Sequence, residues 1–141
     1  MRKAIIILLP IVLIGCAGSI LSYKMMDETK MVALPTAKLC LAYHHTKKVA
    51  AKDELIRRNA IPENEWPLIE SGRVTIGMSI YGLFCSWGVP TVFGTANRTI
   101  TENGVHVQLV YREYLKKTRY VYTLQQEGQP PDSAKVVGIQ D

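Results

Sequence analysis

The chain has 141 residues, with 17 basic and 12 acidic side chains and a formal net charge of +5 at pH 7. This length suffices for one domain with a modest hydrophobic core, but not for two. The positive charge is too small to indicate a nucleic-acid-binding protein.

The first residues are typical of a secretory signal. A basic pair, Arg2 and Lys3, precedes an apolar run at residues 4–14. Residues 13–16 (LIGC) resemble the bacterial lipoprotein box, in which the cysteine is acylated and the signal is cleaved before it. We therefore predict a signal peptide at residues 1–15 and a lipid on Cys16.

An alternative for the same region is a transmembrane anchor. Residues 4–23 carry no charge and are long enough to cross a hydrocarbon core of about 30 Å, although the apolar block itself ends at Ile14. Under the lipoprotein interpretation, Ala17 replaces the aspartate that most often retains such proteins in the inner membrane. The expected location is then the periplasmic face of the outer membrane, with the membrane contacted through the lipid.

Two cysteines remain once Cys16 carries lipid. Cys40 and Cys85 form an even pair in an oxidising compartment, which predicts a disulfide. The bond would close a loop of about 45 residues and stabilise the fold by about 4 kcal/mol in the chain-entropy model. Two alternatives stay open, namely buried free thiols or a reactive thiol at Cys85, which would need a base such as His106.

Residues 17–35 show no clear periodicity of apolar residues. Residues 16–35 are therefore predicted to be the lipidated cysteine and a flexible tether. Two helical stretches follow at residues 36–59, with Thr36 as the first N-cap. His44 and His45 lie between them and are expected in a solvated turn. Adjacent histidines rarely share a metal ion, and we predict no metal site and no cofactor.

A short helix is predicted at residues 62–70, because proline suits a first turn, and Trp66 and Ile69 would form its apolar edge. Val74 and Ile76 then alternate as a short strand. This strand is expected to lead into the most distinctive stretch of the chain, residues 76–90 (IGMSIYGLFCSWGVP).

Residues 76–90 are predicted to form a glycine turn and a short helix. Ser79 is the expected N-cap, and Gly88 followed by Pro90 ends the helix. The expected buried face consists of Ile80, Leu83, Phe84 and Trp87. A phosphate-binding loop is the alternative, but the turn has a single glycine and no accompanying lysine. The residues of this structural motif are Gly77, Met78, Ser79, Trp87, Gly88 and Pro90.

After Pro90 the apolar period changes to two, which predicts strands at residues 95–101, 105–112, 119–124 and 135–140. Asn103-Gly104 and residues 128–131 supply turns. The expected apolar sets are Val105, Val107, Leu109 and Tyr111 on the second strand, and Tyr120, Tyr122 and Leu124 on the third. The predicted fold is α+β: one domain at residues 36–141, with N-terminal helices on one face of a three- to four-stranded antiparallel sheet.

The chain resembles a known family in residues 69–141. The block VTIGMS at residues 74–79, a two-turn helix ending in WGVP at residues 87–90, and strands containing QLVY and YVY are similar to the SmpA/OmlA, or BamE-like, outer-membrane lipoproteins. The chain departs from that pattern in its helical extension at residues 36–59, its cysteine pair and its long last turn. It is interpreted as a divergent relative.

The resemblance implies a scaffold that binds an outer-membrane or periplasmic protein during envelope assembly. The resemblance implies neither catalysis nor a small-molecule substrate. The sequence also contains no recognisable catalytic motif, such as a Ser-His-Asp set or a metal-spaced cluster of histidines or cysteines. The same fold recurs in secreted β-lactamase-inhibitor proteins, so a periplasmic protein inhibitor is the alternative function.

Overall fold

The structure is a computed structural model that describes residues 17–90, 96–112 and 117–141. These residues form six α-helices followed by a four-stranded antiparallel sheet, which confirms the predicted α+β class. The helices are α1 (Ala17–Met25), α2 (Glu28–Val32), α3 (Thr36–Thr46), α4 (Val49–Arg57), α5 (Trp66–Glu70) and α6 (Ile80–Trp87). The strands are β1 (Ala96–Thr101), β2 (Gly104–Tyr111), β3 (Arg119–Gln126) and β4 (Lys135–Gln140).

The sheet is a meander in the order β1-β2-β3-β4. Asn103-Gly104 forms the tight turn between β1 and β2, where Thr101 is paired with Gly104. A bulge between Tyr122 and Thr123 interrupts the pairing of β3 with β4. The four strand predictions are confirmed to within two residues at each end, apart from Thr95, which lies outside the described residues.

The predicted tether is wrong for residues 17–35, which form α1 and α2 and pack on the domain. Asp27 caps α2 by accepting a hydrogen bond from the Thr29 amide at 2.7 Å. The side chain of Met31 is fully buried in the core. Burial of a methionine contributes about 1.5–3 kcal/mol, which is one part of what offsets the entropy lost on ordering the segment.

Arg58 ties this N-terminal segment to α4. Its guanidinium donates to the carbonyl oxygens of Val32, the last residue of α2, at 2.6 Å, and of Leu34, two residues further on, at 2.8 Å. Its Nε also donates to Glu54 at 2.7 Å. Since the last carbonyls of a helix lack partners within the helix, one arginine satisfies acceptors that would otherwise need water.

The expected turn at His44 and His45 is also wrong. α3 continues through both residues to Thr46 and ends where Lys47 adopts a left-handed conformation with φ 53°. Thr36 is the first residue of α3 and not its cap, because Pro35 occupies the N-cap position. Both histidines therefore lie on the last turn of a helix that packs against α6.

A single core joins the helices to the sheet. Its fully buried large side chains are Met31, Leu39, Leu55, Ile69, Leu83, Val121 and Val136, together with Cys40 and Cys85. Trp66 and Ile69 are buried, as predicted for the edge of α5, where a 3-10 turn at Glu63–Glu65 leads into the helix. Leu109 on β2 belongs to the same core.

The predicted core face is right for β2 and wrong for β3. Leu109 is paired with Val121 and Val107 with Thr123, so these four residues share one face of the sheet. Val121 and Thr123 are buried there. The register therefore places Tyr120, Tyr122 and Leu124 on the opposite face, where the Tyr122 hydroxyl accepts from Gln108 and donates to Gln140.

The expected strand at Val74 and Ile76 does not form, and Ile76 is 70% exposed. Backbone pairing with β4 begins one residue later, at Gly77. The Gly77 amide donates to the Val136 carbonyl, the Val136 amide donates to the Met78 carbonyl, both at 2.8 Å, and Ser79 forms an isolated bridge with Lys135. The turn is thereby fixed to the edge of β4 immediately before α6 begins. Within residues 17–90, 96–112 and 117–141, no helix is long and apolar enough to cross a membrane.

Candidate functional site

The start of α6 is capped by two side chains. Ser79 accepts a hydrogen bond from the Gly82 amide at 3.0 Å, as expected for an N-cap. The carboxylate of Glu65 accepts from the Ser79 amide at 2.9 Å and from the Ser79 hydroxyl at 2.7 Å. Glu65 is buried, and its carboxylate lies where the helix dipole favours negative charge.

Glu65 argues against the phosphate-loop alternative. A bound anion would need the free amides at the start of α6, but the carboxylate of Glu65 and the Ser79 hydroxyl already accept from them. Gly82 serves the same arrangement, because a Cβ at this position would overlap the Glu65 Oε2 atom. Gly77, with φ 89°, and Met78, which is buried, are parts of the turn that leads to this cap.

Cys40 and Cys85 face each other between α3 and α6. Both are fully buried and carry free thiols in this structure, and the disulfide between them stays a prediction. Cys40 donates to the Tyr81 carbonyl at 3.5 Å. Burial, and then a hydrogen bond with Cys40, raise the pKa of the Cys85 thiol far above its ordinary value. A thiol with a raised pKa is a poor nucleophile, which argues against the reactive-thiol alternative.

The end of α6 forms one wall of a cleft of about 370 Å³. Gly88 has φ 78°, and a Cβ here would lie 3.2 Å from Cδ2 of His44. The Trp87 indole donates from Nε1 to the Gly72 carbonyl at 2.9 Å, and the ring meets Tyr111 edge to face at 5.7 Å. Pro90 also lines the cleft. Half of the predicted motif therefore borders this cleft.

Two arginines and the Tyr111 ring form the opposite wall. Arg119 lies over the Trp87 ring, 4.9 Å from its centroid, and Arg112 is exposed at the end of β2. Tyr111 donates from its hydroxyl to the Gly88 carbonyl at 3.1 Å. Burial raises the pKa of Tyr111, so the phenol stays a donor throughout the neutral range. The contacts hold both aromatic rings in fixed orientations.

The two histidines complete the cleft from α3. His44 donates from Nδ1 to the Ser86 carbonyl at 2.9 Å, which leaves its Nε2 as an acceptor in the neutral ring. Burial lowers the pKa of His44, and the charges of His45 and Lys47 lower it further. Burial also lowers the pKa of His45, followed by the charges of Lys24 and Lys47. Both imidazoles are therefore neutral at pH 7, and the arginines supply the charge.

The sequence predicted no role in a binding site for several residues of this cleft. His44, Tyr111, Arg112 and Arg119 come from three elements that are far apart in the chain, and their spacing gives no signal. Cys16, the predicted lipidation site, lies outside the described residues and stays a prediction. Within the described ranges, no three histidine, cysteine or acidic residues are arranged to hold a metal ion.

No protein-family profile, curated protein or solved structure matches this chain. The relation to the SmpA/OmlA family therefore stays a prediction that depends on the quoted motif.

Proposed function

We propose that the chain is a lipid-anchored lipoprotein on the periplasmic face of the outer membrane, whose domain binds another envelope protein without catalysis. The observation that carries the proposal is the composition of the cleft. Trp87, Tyr111, Arg112 and Arg119 meet there. Tryptophan, tyrosine and arginine are the side chains most enriched among residues that dominate protein–protein binding energy.

The fixed geometry of the cleft supports a binding role. Trp87 and Tyr111 are each held by a hydrogen bond to a backbone carbonyl, and Arg119 stacks on the Trp87 ring. Side chains that are already ordered lose little conformational entropy when a partner arrives. A concave site with ordered aromatic rings is therefore well suited to receive an anchor side chain.

The position of α1 supports attachment at the membrane surface. α1 begins at Ala17, directly after the predicted lipidated Cys16. Leu21 and Met25, four residues apart, are 58% and 79% exposed, and Lys24 lies beside them. Exposed apolar side chains with a neighbouring lysine suit the interface of an anionic bilayer. We infer that the domain lies against the membrane and is not held away from it by a tether.

The lipid anchor is tested by metabolic labelling with a palmitate analogue. The full-length protein should take up the label, and Cys16→Ala should abolish labelling and leave an uncleaved, longer precursor. A cysteine variant elsewhere, Cys85→Ser, is the matched control and should label like the wild type. Equal labelling of wild type and Cys16→Ala would overturn the proposed anchor.

The binding role is tested by affinity purification from solubilised membranes. A scaffold should retain one or more outer-membrane proteins, and retention should fall for Arg112→Gln, because Arg112 borders the cleft without contacting the core. Arg98→Gln, on the exposed strand β1, is the control and should retain the same proteins as the wild type. Retention of a single periplasmic enzyme would instead identify the protein as an inhibitor. Equal retention of partners by Arg112→Gln and Arg98→Gln would exclude the cleft as the binding site.

A further inference from the structure

We propose that the cleft between α6 and the sheet binds the carboxyl-terminal residue of a partner protein, with the carboxylate at the arginines and the apolar side chain against Trp87. This inference rests on the proposed protein-binding function and names the chemistry that the cleft recognises. It follows from the charge, shape and rigidity of the lining.

The charge of the lining is positive on one side only. Arg112 and Arg119 border the cleft, and no acidic side chain is among its lining residues in the described part of the chain. A guanidinium binds a carboxylate through two parallel hydrogen bonds, a geometry that an ammonium group does not offer. The cleft therefore presents groups that match a carboxylate in both charge and shape.

Asp141 gives an internal example of the same recognition. Its Oδ1 lies 3.5 Å from Nε of Arg119, and the two side chains are 62% and 42% exposed. An ion pair that is this exposed contributes little to stability, so a ligand carboxylate can replace it at small cost. The second arginine, Arg112, has no ion pair with any described residue.

The apolar part of the ligand is specified by Trp87 and Pro90. The indole is fixed by its hydrogen bond to the Gly72 carbonyl, and Pro90 adds a rigid apolar surface beside it. The Nε2 atom of His44 is an acceptor in the neutral ring and suits the amide N–H that precedes a terminal carboxylate. The cleft volume of about 370 Å³ lies at the lower end of the range for small-ligand sites, which suits one or two residues.

The test is a fluorescence titration of the full-length protein in detergent. Trp66→Phe leaves Trp87 as the single tryptophan of the chain, so its emission reports on the cleft. The probes are acetyl-Ala-Phe with a free carboxylate, the same peptide as its amide, and benzoate as a free small carboxylate. The free-acid peptide should change the emission saturably and bind about tenfold more tightly than the amide, as expected for one charge-assisted contact.

Two variants locate the contact. Arg112→Gln should weaken binding of the free-acid peptide by about tenfold and leave the amide unchanged. Arg98→Gln has the same charge change outside the cleft and should bind both peptides like the parent. Equal thermal melting of the variants shows that the fold is intact.

Equal binding of acid and amide, an equal effect of Arg98→Gln, or no change in emission at millimolar peptide would each overturn the inference. Tighter binding of benzoate than of the free-acid peptide would assign the cleft to a free carboxylic acid and not to a protein terminus. If the peptide fails while membrane purification still retains a partner through Arg112, the protein-binding function stands and only the carboxylate assignment falls.

Discussion

The Oε2 atom of Glu65 occupies the space in which a side chain at Gly82 would begin. Glu65 stands at the N-terminal end of α5, and Gly82 lies in the first turn of α6. Because the buried carboxylate accepts from Ser79 at the start of α6, the two helices are joined through this one group. A glycine inside a helix normally costs about 1 kcal/mol relative to alanine, and here it makes room for the cap.

Gly82→Ala should therefore destabilise the protein, against the usual ranking of helix propensity. We expect a loss of about 1–3 kcal/mol in the free energy of unfolding, because the new methyl group displaces a buried carboxylate. Urea denaturation measures the change. In a Glu65→Ala background the same substitution should cost much less. An equal cost in both backgrounds would contradict the steric account.

Arg58→Ala should separate α1 and α2 from the domain. The variant loses hydrogen bonds to the Val32 and Leu34 carbonyls as well as the ion pair with Glu54, and we expect a loss of about 2–3 kcal/mol. Arg57→Ala is the matched control. Arg57 is 73% exposed, and its ion pair in the described part of the chain is with Glu54, so its removal should cost much less than that of Arg58.

Faster hydrogen exchange at Met31 in Arg58→Ala would show that the N-terminal segment has loosened. Equal melting of the two arginine variants would contradict the role assigned to Arg58.

The thiols of Cys40 and Cys85 should be oxidised in protein taken fresh from the periplasm. They are neighbours in the core, and closing a loop of about 45 residues would add on the order of 4 kcal/mol in the chain-entropy model. Maleimide should then label no thiol in the denatured protein before reduction and two after it. The thioether-linked Cys16 does not react. Labelling of two thiols before reduction would show that the cysteines are buried free thiols.

Stability should fall in mildly acidic solution because of the two histidines on α3. The pKa values of His44 and His45 are lowered in the folded state, so the unfolded chain takes up protons first as the pH falls. Their contribution is complete above the ordinary imidazole pKa of about 6.5 and is lost below it.

Melting temperatures between about pH 7.5 and 5 measure this loss. The double variant His44→Gln, His45→Gln should show a flatter profile. Hydrogen bonds from Arg57 and then Arg58 hold the pKa of Glu54 at about 2. Glu54 therefore titrates at a lower pH than the histidines and does not affect the melting temperatures in this range. A wild-type profile that is flat from neutral pH to pH 5 would contradict the histidine account.

The strands and the cap of α6 could be predicted because their signals are local. Alternation of apolar residues, the Asn103-Gly104 turn and the Ser79 cap each act over a few residues. The face of β3 could not be predicted, because Tyr120, Tyr122 and Leu124 form a larger apolar set than Val121 and Thr123 on the other face. Only the pairing with β2 places Val121 against the core.

The N-terminal helices and the cleft depend on contacts that are distant in the chain. Met31 is buried, and the segment that carries it is held by hydrogen bonds from Arg58, which lies 26 residues from its acceptor Val32. The segment has no periodic apolar pattern of its own from which this packing could be predicted. His44 is brought to Gly88 by the packing of α3 on α6. Local sequence patterns do not indicate contacts between residues this far apart in the chain.

Site-specific photo-crosslinking in living cells tests the central claim, a membrane-anchored domain that binds an envelope protein through the cleft. A photoreactive amino acid replaces Val89, which lines the cleft, or Ile56 on the exposed side of α4 as the control. We expect a discrete adduct from position 89 that contains an outer-membrane or periplasmic protein, and none from position 56. No adduct at position 89, or the same adducts at both positions, would contradict the account.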